Sequence, residues 1–303
     1  MLDKDKEIFM KILNFGSLNF DYVYRVDNIV SPGETVSATE VHQYCGGKGL
    51  NQSIALARAG AEVYHAGLVG PDGGEFITLC GMNDIDTKYI RTIEERTGHT
   101  IIQVDHKGQN SIVVYGGANQ RVDKAFVDEV LSGFGRGDII LLQNEISCLD
   151  FIIDRACEKE MGIILNPSPF NDRIRNCHLE KVSMFIINEV EGFDMTGERD
   201  PDEILDSMGV KFPEAEIVLT IGESGSIYYC NEKKMRQKAY RVNAVDTTAA
   251  GDTFTGYFVA EMAHGRELKD TLDIAAKAAA IAVTRNGAVP SIPTFDEVVD
   301  FKS

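Results

Sequence analysis

Short apolar runs alternate along the chain with longer stretches in which apolar residues recur at helical spacing. Residues 11–15, Lys-Ile-Leu-Asn-Phe, read as a first strand that stops at Gly16. Residues 50–59 read as a helix, with apolar positions at Leu50, Ile54 and Ala57 and a glycine stop at Gly60. Residues 63–69 form the next strand. Four later runs share one design: 139–142, 163–165, 184–187 and 217–219, with helical stretches between them. Near-continuous apolar strands alternating with helices predict a doubly wound α/β fold. Its sheet would be mainly parallel and covered on both faces.

Two regions break this rhythm. Residues 20–45 carry Tyr22-Val23-Tyr24 and Thr35 to Thr39 around Ser31-Pro32-Gly33. Residues 97–119 carry Thr100 to Val104 and Ser111 to Tyr115 around Lys107-Gly108. Both read as antiparallel pairs rather than βα units. They predict either a small sheet beside the main one or edge hairpins of it.

Composition narrows the partners. The 303 residues suffice for one large α/β domain spanning 1–303, and 44% of them are hydrophobic. A net charge of -17 disfavours nucleic acid and anionic membrane, because both repel an acidic surface. A phosphate ligand needs only a local positive field. No apolar stretch of about 18 residues is present, so no membrane-spanning helix is expected. The charged start, Met1 to Glu7, reads as no signal peptide. Six dispersed cysteines without a CxxC pair suit reduced thiols in a cytoplasmic protein.

The candidate chemistry lies where strands end. In open parallel sheets, ligands bind beyond the carboxyl ends of the strands. The four later strands end in Gln143-Asn144-Glu145, Asn166-Pro167, Asn188-Glu189-Val190-Glu191 and Thr220 to Gly225. Two glycine-rich segments add to this. Gly46-Gly47-Lys48-Gly49 opens the helix at Leu50 and matches neither a Walker A loop nor a dinucleotide fingerprint, so a ligand cradle and a plain tight turn both remain open. Ala249-Ala250-Gly251-Asp252 precedes an apolar-periodic helix. Its backbone N–H groups suit a phosphate. On this segment alone Asp252 reads first as a helix cap, with a carboxylate placed to take a proton from an attacking hydroxyl as the other reading.

Taken in this order, the motifs resemble the ribokinase-like (pfkB) carbohydrate kinase family, from about Leu13 to Phe295. Gly46 to Asn51 is similar to its N-terminal signature, and Asp246-Thr247-Thr248-Ala249-Ala250-Gly251-Asp252-Thr253-Phe254 to its C-terminal one. Asn188 to Glu191 matches its Asn-x-x-Glu motif. The resemblance implies an ATP-dependent kinase that phosphorylates a primary hydroxyl of a small sugar, with D-ribose going to ribose 5-phosphate as the expected reaction. Deoxyribose, fructose-type and nucleoside acceptors are alternatives, and so is a non-catalytic sugar-binding regulator.

Residue roles follow from the resemblance alone. Asp252 would accept the proton, beside an anion hole at Ala249, Ala250 and Gly251. Asn19, Asp21, Gly47, Lys48, Asn51 and Glu145 would hold the sugar. Asn188, Thr220, Gly222, Ser224, Gly225 and Gly251 would hold ATP. Glu191 would order Mg2+ through water. Asp246, Thr248, Ala282, Arg285, Gly287 and Ser291 would surround a monovalent cation, with K+ expected, several of them through backbone carbonyls. The irregular regions would form a β lid over the sugar that also pairs two subunits into a homodimer. Phe20 and Leu50 replace smaller residues within sugar-contact motifs, which predicts a reshaped pocket.

Overall fold

A computed structural model of the protein describes residues 10–302, so the charged Met1 to Glu7 segment lies outside the described residues. β1 (Ile12–Phe15) lies inside the main sheet, and all four of its residues are buried. The chain then leaves for β2 (Asn19–Val26) and β3 (Ala38–Gly46) and returns in α1 (Lys48–Arg58). Next come β4 (Val63–Val69), α2 (Gly74–Met82) and β5 (Asp86–Thr92), followed by a second excursion, β6 (Gly98–Val104) and β7 (Asn110–Tyr115). The helix α3 (Lys124–Leu131) leads into β8 (Ile139–Gln143), α4 (Leu149–Glu158), β9 (Gly162–Asn166), α5 (Asp172–Arg175) and β10 (Met184–Asn188). After these run α6 (Glu189–Thr196), α7 (Pro201–Lys211), β11 (Glu216–Thr220), β12 (Ser226–Cys230) and β13 (Lys233–Gln237). Three helices close the chain: α8 (Ala250–Ala263), α9 (Leu268–Ala282) and α10 (Phe295–Val299).

The main sheet has nine strands in the order β13-β12-β11-β10-β9-β8-β1-β4-β5. From β11 to β5 every pairing is parallel, while β12 and β13 are added antiparallel. The period of two explains the unbroken apolar runs. Ile140 and Leu142 join the core on one face with α3, α4 and α7, whereas Ile139 and Leu141 join the core on the other with α1, α8 and α9. The predicted helix 50–59 begins two residues earlier, at Lys48. All six cysteines are free, and burial pushes the Cys45 and Cys80 thiols up to about 12, so neither is a reactive thiolate.

The two excursions form a separate four-stranded sheet, β3-β2-β6-β7. Each is an antiparallel hairpin, and a parallel β2–β6 pairing joins them. The strand expected at Thr35 to Thr39 lies later, in Ala38–Gly46. Alternation along β2 decides the question raised by Phe20. Asn19 and Asp21 share one face, and Phe20 points from the other, where its ring lies 4.6 Å from Phe76. Leu50 is fully buried in the same core. Both large residues are core packing, so the predicted reshaping of the pocket does not occur through them.

Close helix packing needs Gly256. A Cβ there would sit 2.4 Å from Ala55 Cβ and 2.8 Å from Leu56 N, so α8 approaches α1 only because Gly256 lacks one. Gly256→Ala is expected to cost about 1–3 kcal/mol by overpacking. Gly81→Ala, at a position with open space, is expected to be neutral or stabilising by up to about 1 kcal/mol. Urea denaturation of the two variants checks this contrast.

Candidate active site

The contact between α1 and α8 brings their amino termini together, and Asp252 lies at that junction. The cap of α8 is Ala249, in the left-handed region at φ 59°, and it makes no side-chain cap bond. Asp252 is the third helical residue, so the reading of it as the helix cap is set aside. Asp252 is 6% exposed, and its carboxylate points to α1 instead. Oδ2 accepts from Asn51 Nδ2 at 3.0 Å, Oδ1 accepts from Gln52 Nε2 at 2.9 Å, and Lys48 Nζ lies 3.9 Å from Oδ1. Above the helix start is free space: a Cβ at Gly251 would meet nothing within 4 Å. The N–H groups of Gly251 and Asp252 belong to the first turn, where no helical carbonyl stands behind them. The Ala250 N–H reaches the Thr247 carbonyl at 3.3 Å, which makes it the less free donor.

On one side lie polar groups suited to a polyol. Asp21 Oδ1 accepts from the Thr100 hydroxyl at 2.6 Å. Burial raises its pKa to about 6; the Thr100 bond opposes that rise, and the nearby Glu145 and Asp252 charges add to it. Glu145 Oε2 accepts from the Ser17 hydroxyl and from Lys48 N–H at 3.1 Å. Burial raises the Glu145 pKa as well, against the pull of Lys48. Lys48 itself is raised, by Asp252 first and by Glu145 and Glu191 further, so it stays charged. Gly47 turns at φ 97° to start α1. Asn19 Oδ1 accepts from Asn119 Nδ2 at 2.8 Å, so the oxygen is engaged and the amide nitrogen is the Asn19 group left to donate. Asn51 Oδ1 is buried with no partner among the described residues, an unsatisfied acceptor on the side chain that grips Asp252.

On another side, Asn188 and Thr220 are register partners at the carboxyl ends of β10 and β11. Asn188 and Glu191 form a capping box on α6: Asn188 Oδ1 accepts from Glu191 N at 3.0 Å, and Glu191 Oε2 accepts from Asn188 N at 2.9 Å. That structural duty uses one Glu191 oxygen. Thr220 leads into a 3-10 turn at Gly222–Ser224, closed by Gly225 at φ 105°. A Cβ on Gly225 would strike the Gln237 carbonyl at 2.0 Å, so the turn requires glycine there.

Among the predicted cation residues, Asp246, Thr248 and Gly287 are joined directly. Asp246 takes the Thr248 and Gly287 N–H groups, each at 2.9 Å. Burial alone would raise its pKa, but these bonds outweigh it and hold the carboxyl below its usual range. Asp246 N donates to Val283 O at 3.2 Å, and the Ala282 carbonyl accepts from Arg285 N at 3.1 Å. Ser291 is buried, with its hydroxyl on Ala288 O at 2.7 Å. The Arg285 guanidinium is paired with Glu297 at 2.7 Å. Its charge is thereby spent on α10, and only its backbone is available to the loop.

The family model for pfkB family carbohydrate kinases matches residues 10–295. The chain belongs to the pfkB carbohydrate kinase family. It is 34% identical over 303 aligned residues to ribokinase of Staphylococcus aureus, covering 95% of this chain and 98% of that protein. Among solved structures it is similar to Arabidopsis thaliana ribokinase complexed with ribose and ATP, at a TM-score of 0.84, 27% identity and coverage of 97% and 100%. It is also similar to Cryptococcus neoformans ribokinase in complex with ADP, at a TM-score of 0.83, 30% identity and coverage of 96% and 99%.

Within this pfkB kinase, sequence reasoning missed Gln52, Asn119, Ser17 and Thr100. Each holds a candidate site residue through a hydrogen bond from a distant part of the chain. No local pattern marks them. Only the position of Gln52 beside the Lys48 to Asn51 signature hinted at proximity. The titration of Asp21 gives a test. For sugar, kcat/KM is expected to fall as pH drops through about 6, because protonation removes a hydroxyl acceptor. The acid limb should flatten in Asp21→Asn with KM raised; a limb that this substitution leaves unchanged assigns the titration elsewhere.

Proposed function

We propose that this pfkB carbohydrate kinase transfers the γ-phosphoryl group of ATP to the primary hydroxyl of D-ribose, yielding ribose 5-phosphate. One observation carries the reading: a buried carboxylate, Asp252, stands between a set of polyol-binding groups and an open helix start. Asn19 donates to the sugar while Asp21, Asn51 and Glu145 accept from it, and Gly47 lets the backbone approach. Lys48 holds its charge among the carboxylates. A site so rich in buried acceptors favours a small polyhydroxylated acceptor, since each hydroxyl it meets satisfies a group that is costly to leave unpaired. The identities of the relatives, ribokinases from a bacterium, a plant and a fungus, agree with this.

In the reaction, the sugar O–H bond breaks and its proton goes to Asp252. The oxygen forms a bond to the γ-phosphorus, and the bond to the β–γ bridging oxygen breaks, leaving its electron pair on ADP. The Gly251 and Asp252 N–H groups, with Ala249 and Ala250 shaping the turn, stabilise the charge on the transferring oxygens. Removing one such donor typically costs about 3 kcal/mol of barrier. Asn188 and the Thr220, Gly222, Ser224 and Gly225 turn hold the nucleotide. The residues fit a magnesium ion carried chiefly by ATP: no group of three or more His, Cys, Asp or Glu side chains among the described residues makes a protein cage, and Glu191 keeps one oxygen outside its cap for a metal-bound water. Bound there, the ion neutralises phosphate charge. Asp246 and the carbonyls around Thr248, Ala282, Arg285, Gly287 and Ser291 suit a K+ ion that steadies the turn before α8.

The lid is proposed to pair two subunits. Cross-strand register places Val23, Ile102 and Ile112 on the Asp21 face, and Ile112 and Val114 are more than half exposed. The six free thiols suit a reducing compartment, and a cytoplasmic location is proposed on that ground.

An ADP-release screen over pentoses, hexoses and nucleosides, with and without K+, tests the substrate. Ribose should rank first; another acceptor far ahead of it overturns ribose, and no acceptor-dependent ADP at all favours a sugar-binding regulator. Asp252→Asn should keep sugar and ATP binding while losing several orders of magnitude in turnover. Near-normal turnover would remove Asp252 from the mechanism. Ile112→Asp with Val114→Lys should convert a dimer to a monomer in sedimentation.

A further inference from the structure

We infer that Gln52 is a positioning residue for phosphoryl transfer: its amide holds Asp252 Oδ1, and Oδ2 is left as the oxygen that takes the hydroxyl proton. This rests on the reading of Asp252 as the base. Gln52 is fully buried, and so are Gln143 and Asn14 beneath it. Gln52 Nε2 donates to Asp252 Oδ1 at 2.9 Å and to Asn166 Oδ1 at 3.2 Å, while its Oε1 accepts from Gln143 Nε2 at 2.6 Å. Gln143 Nε2 also donates to Asn14 Oδ1 at 2.9 Å. Asn14 Nδ2 donates to the Gly49 carbonyl at 2.7 Å and to Ser53 Oγ at 2.8 Å.

The direction of these bonds has one consistent solution. A backbone carbonyl can only accept, so Gly49 O fixes the nitrogen of Asn14 toward itself. Asn14 must then present oxygen to Gln143, and Gln143 must present nitrogen to Gln52. Gln52 in turn presents oxygen to Gln143 and nitrogen to Asp252. Ser53 Oγ, an acceptor from Asn14, is also hydrogen-bonded to His65 Nδ1 at 2.8 Å. Burial lowers the His65 pKa to about 4, so its ring is neutral. A backbone carbonyl near one helix start thus sets the orientation of the amide that grips the base. A flipped Gln52 would place oxygen against carboxylate oxygen.

The two Asp252 oxygens differ as a result. Oδ1 has Gln52 and the nearer approach of Lys48 Nζ; Oδ2 has only Asn51. The charged groups that bear on this carboxylate are Lys48 of α1, Asp21 of the lid and Glu145 after β8, with Glu191 of α6 acting on Lys48. Losing the grip on Oδ1 lets the carboxylate rotate out of line with the hydroxyl. A misplacement of about 1 Å can cost on the order of a hundredfold in rate.

The test measures kcat and KM against pH for the whole protein with ribose and ATP, in Gln52→Glu, Gln52→Leu and Gln143→Leu, beside thermal unfolding. Gln52→Glu keeps the volume but sets a second carboxylate against Oδ1. It should move the acid limb of kcat upward by about one pH unit or more, because like charges favour protonation. Gln52→Leu should lower kcat about ten- to a hundredfold with KM for ATP little changed. Gln143→Leu, which only frees the Gln52 amide to turn, should lower kcat less. If Gln52→Leu does not fold, the isosteric Gln52→Glu decides. A Gln52→Glu pH profile superposing on that of the parent overturns the inference. Asp252→Asn separates the two failures: if it is inactive while Gln52→Glu behaves as the parent, only the role of Gln52 falls, and if it turns over normally, the base and its positioning residue fall together.

Discussion

Burying one carboxylate where two helix starts meet is the constraint on which the rest of the molecule depends. An ionised group taken out of water costs several kcal/mol unless it is paired and hydrogen-bonded. Asp252 meets that condition with two side-chain amides, a lysine and the positive end of its own helix. The two amides and the lysine all come from α1, so they are available only when α1 lies tightly against α8. Gly256 provides that approach. Gly16 and Gly49 let the start of α1 approach the backbone that follows β1, where a Cβ on Gly49 would sit 2.3 Å from Ser17 N. Small residues in the site segments therefore act first on packing and only through it on chemistry.

The acidic character of the chain sharpens the electrostatics. With a net charge of -17, the surface gives no general attraction for ATP. Any attraction must be local, and the free first-turn N–H groups of α8 supply one such positive field. Lys48 stands among Asp252, Glu145 and Glu191, which keep it protonated. Burial shifts Asp21 and Glu145 upward, and the nearby Asp252 charge adds to both shifts. A polyol brings hydroxyl donors to this crowd of acceptors without adding charge. That is why the site suits a neutral sugar better than an anionic one.

The sequence was most legible where function is written contiguously. The strands from β8 to β11 appear as apolar runs, and the Gly46 to Asn51 and Asp246 to Phe254 segments carry the family resemblance. Edge strands escaped: β5, with Asp86, Lys88 and Arg91, and β13, with Lys233, Lys234 and Arg236, have the polar patterns of strands that face water on one side. Asp252 was undecided between cap and base because both need a carboxylate at a helix start. The position of Ala249 as the cap removes the first of these readings. Phe20 looked like a pocket residue by its neighbours and is core by strand alternation. Gln52, Asn119 and Asn14 were illegible because their partners lie 200, 100 and 129 positions away. Such pairings belong to tertiary structure and leave no local period.

The claim at the centre is that the base sits beside a primary hydroxyl of a bound pentose and directs phosphate there. Phosphorus NMR of the product formed from ATP and D-ribose measures this most directly. The account predicts a single phosphomonoester on carbon 5, coupled to its methylene protons, with ADP formed in equal amount. Phosphate on the anomeric oxygen, or inorganic phosphate in place of a sugar ester, would contradict it.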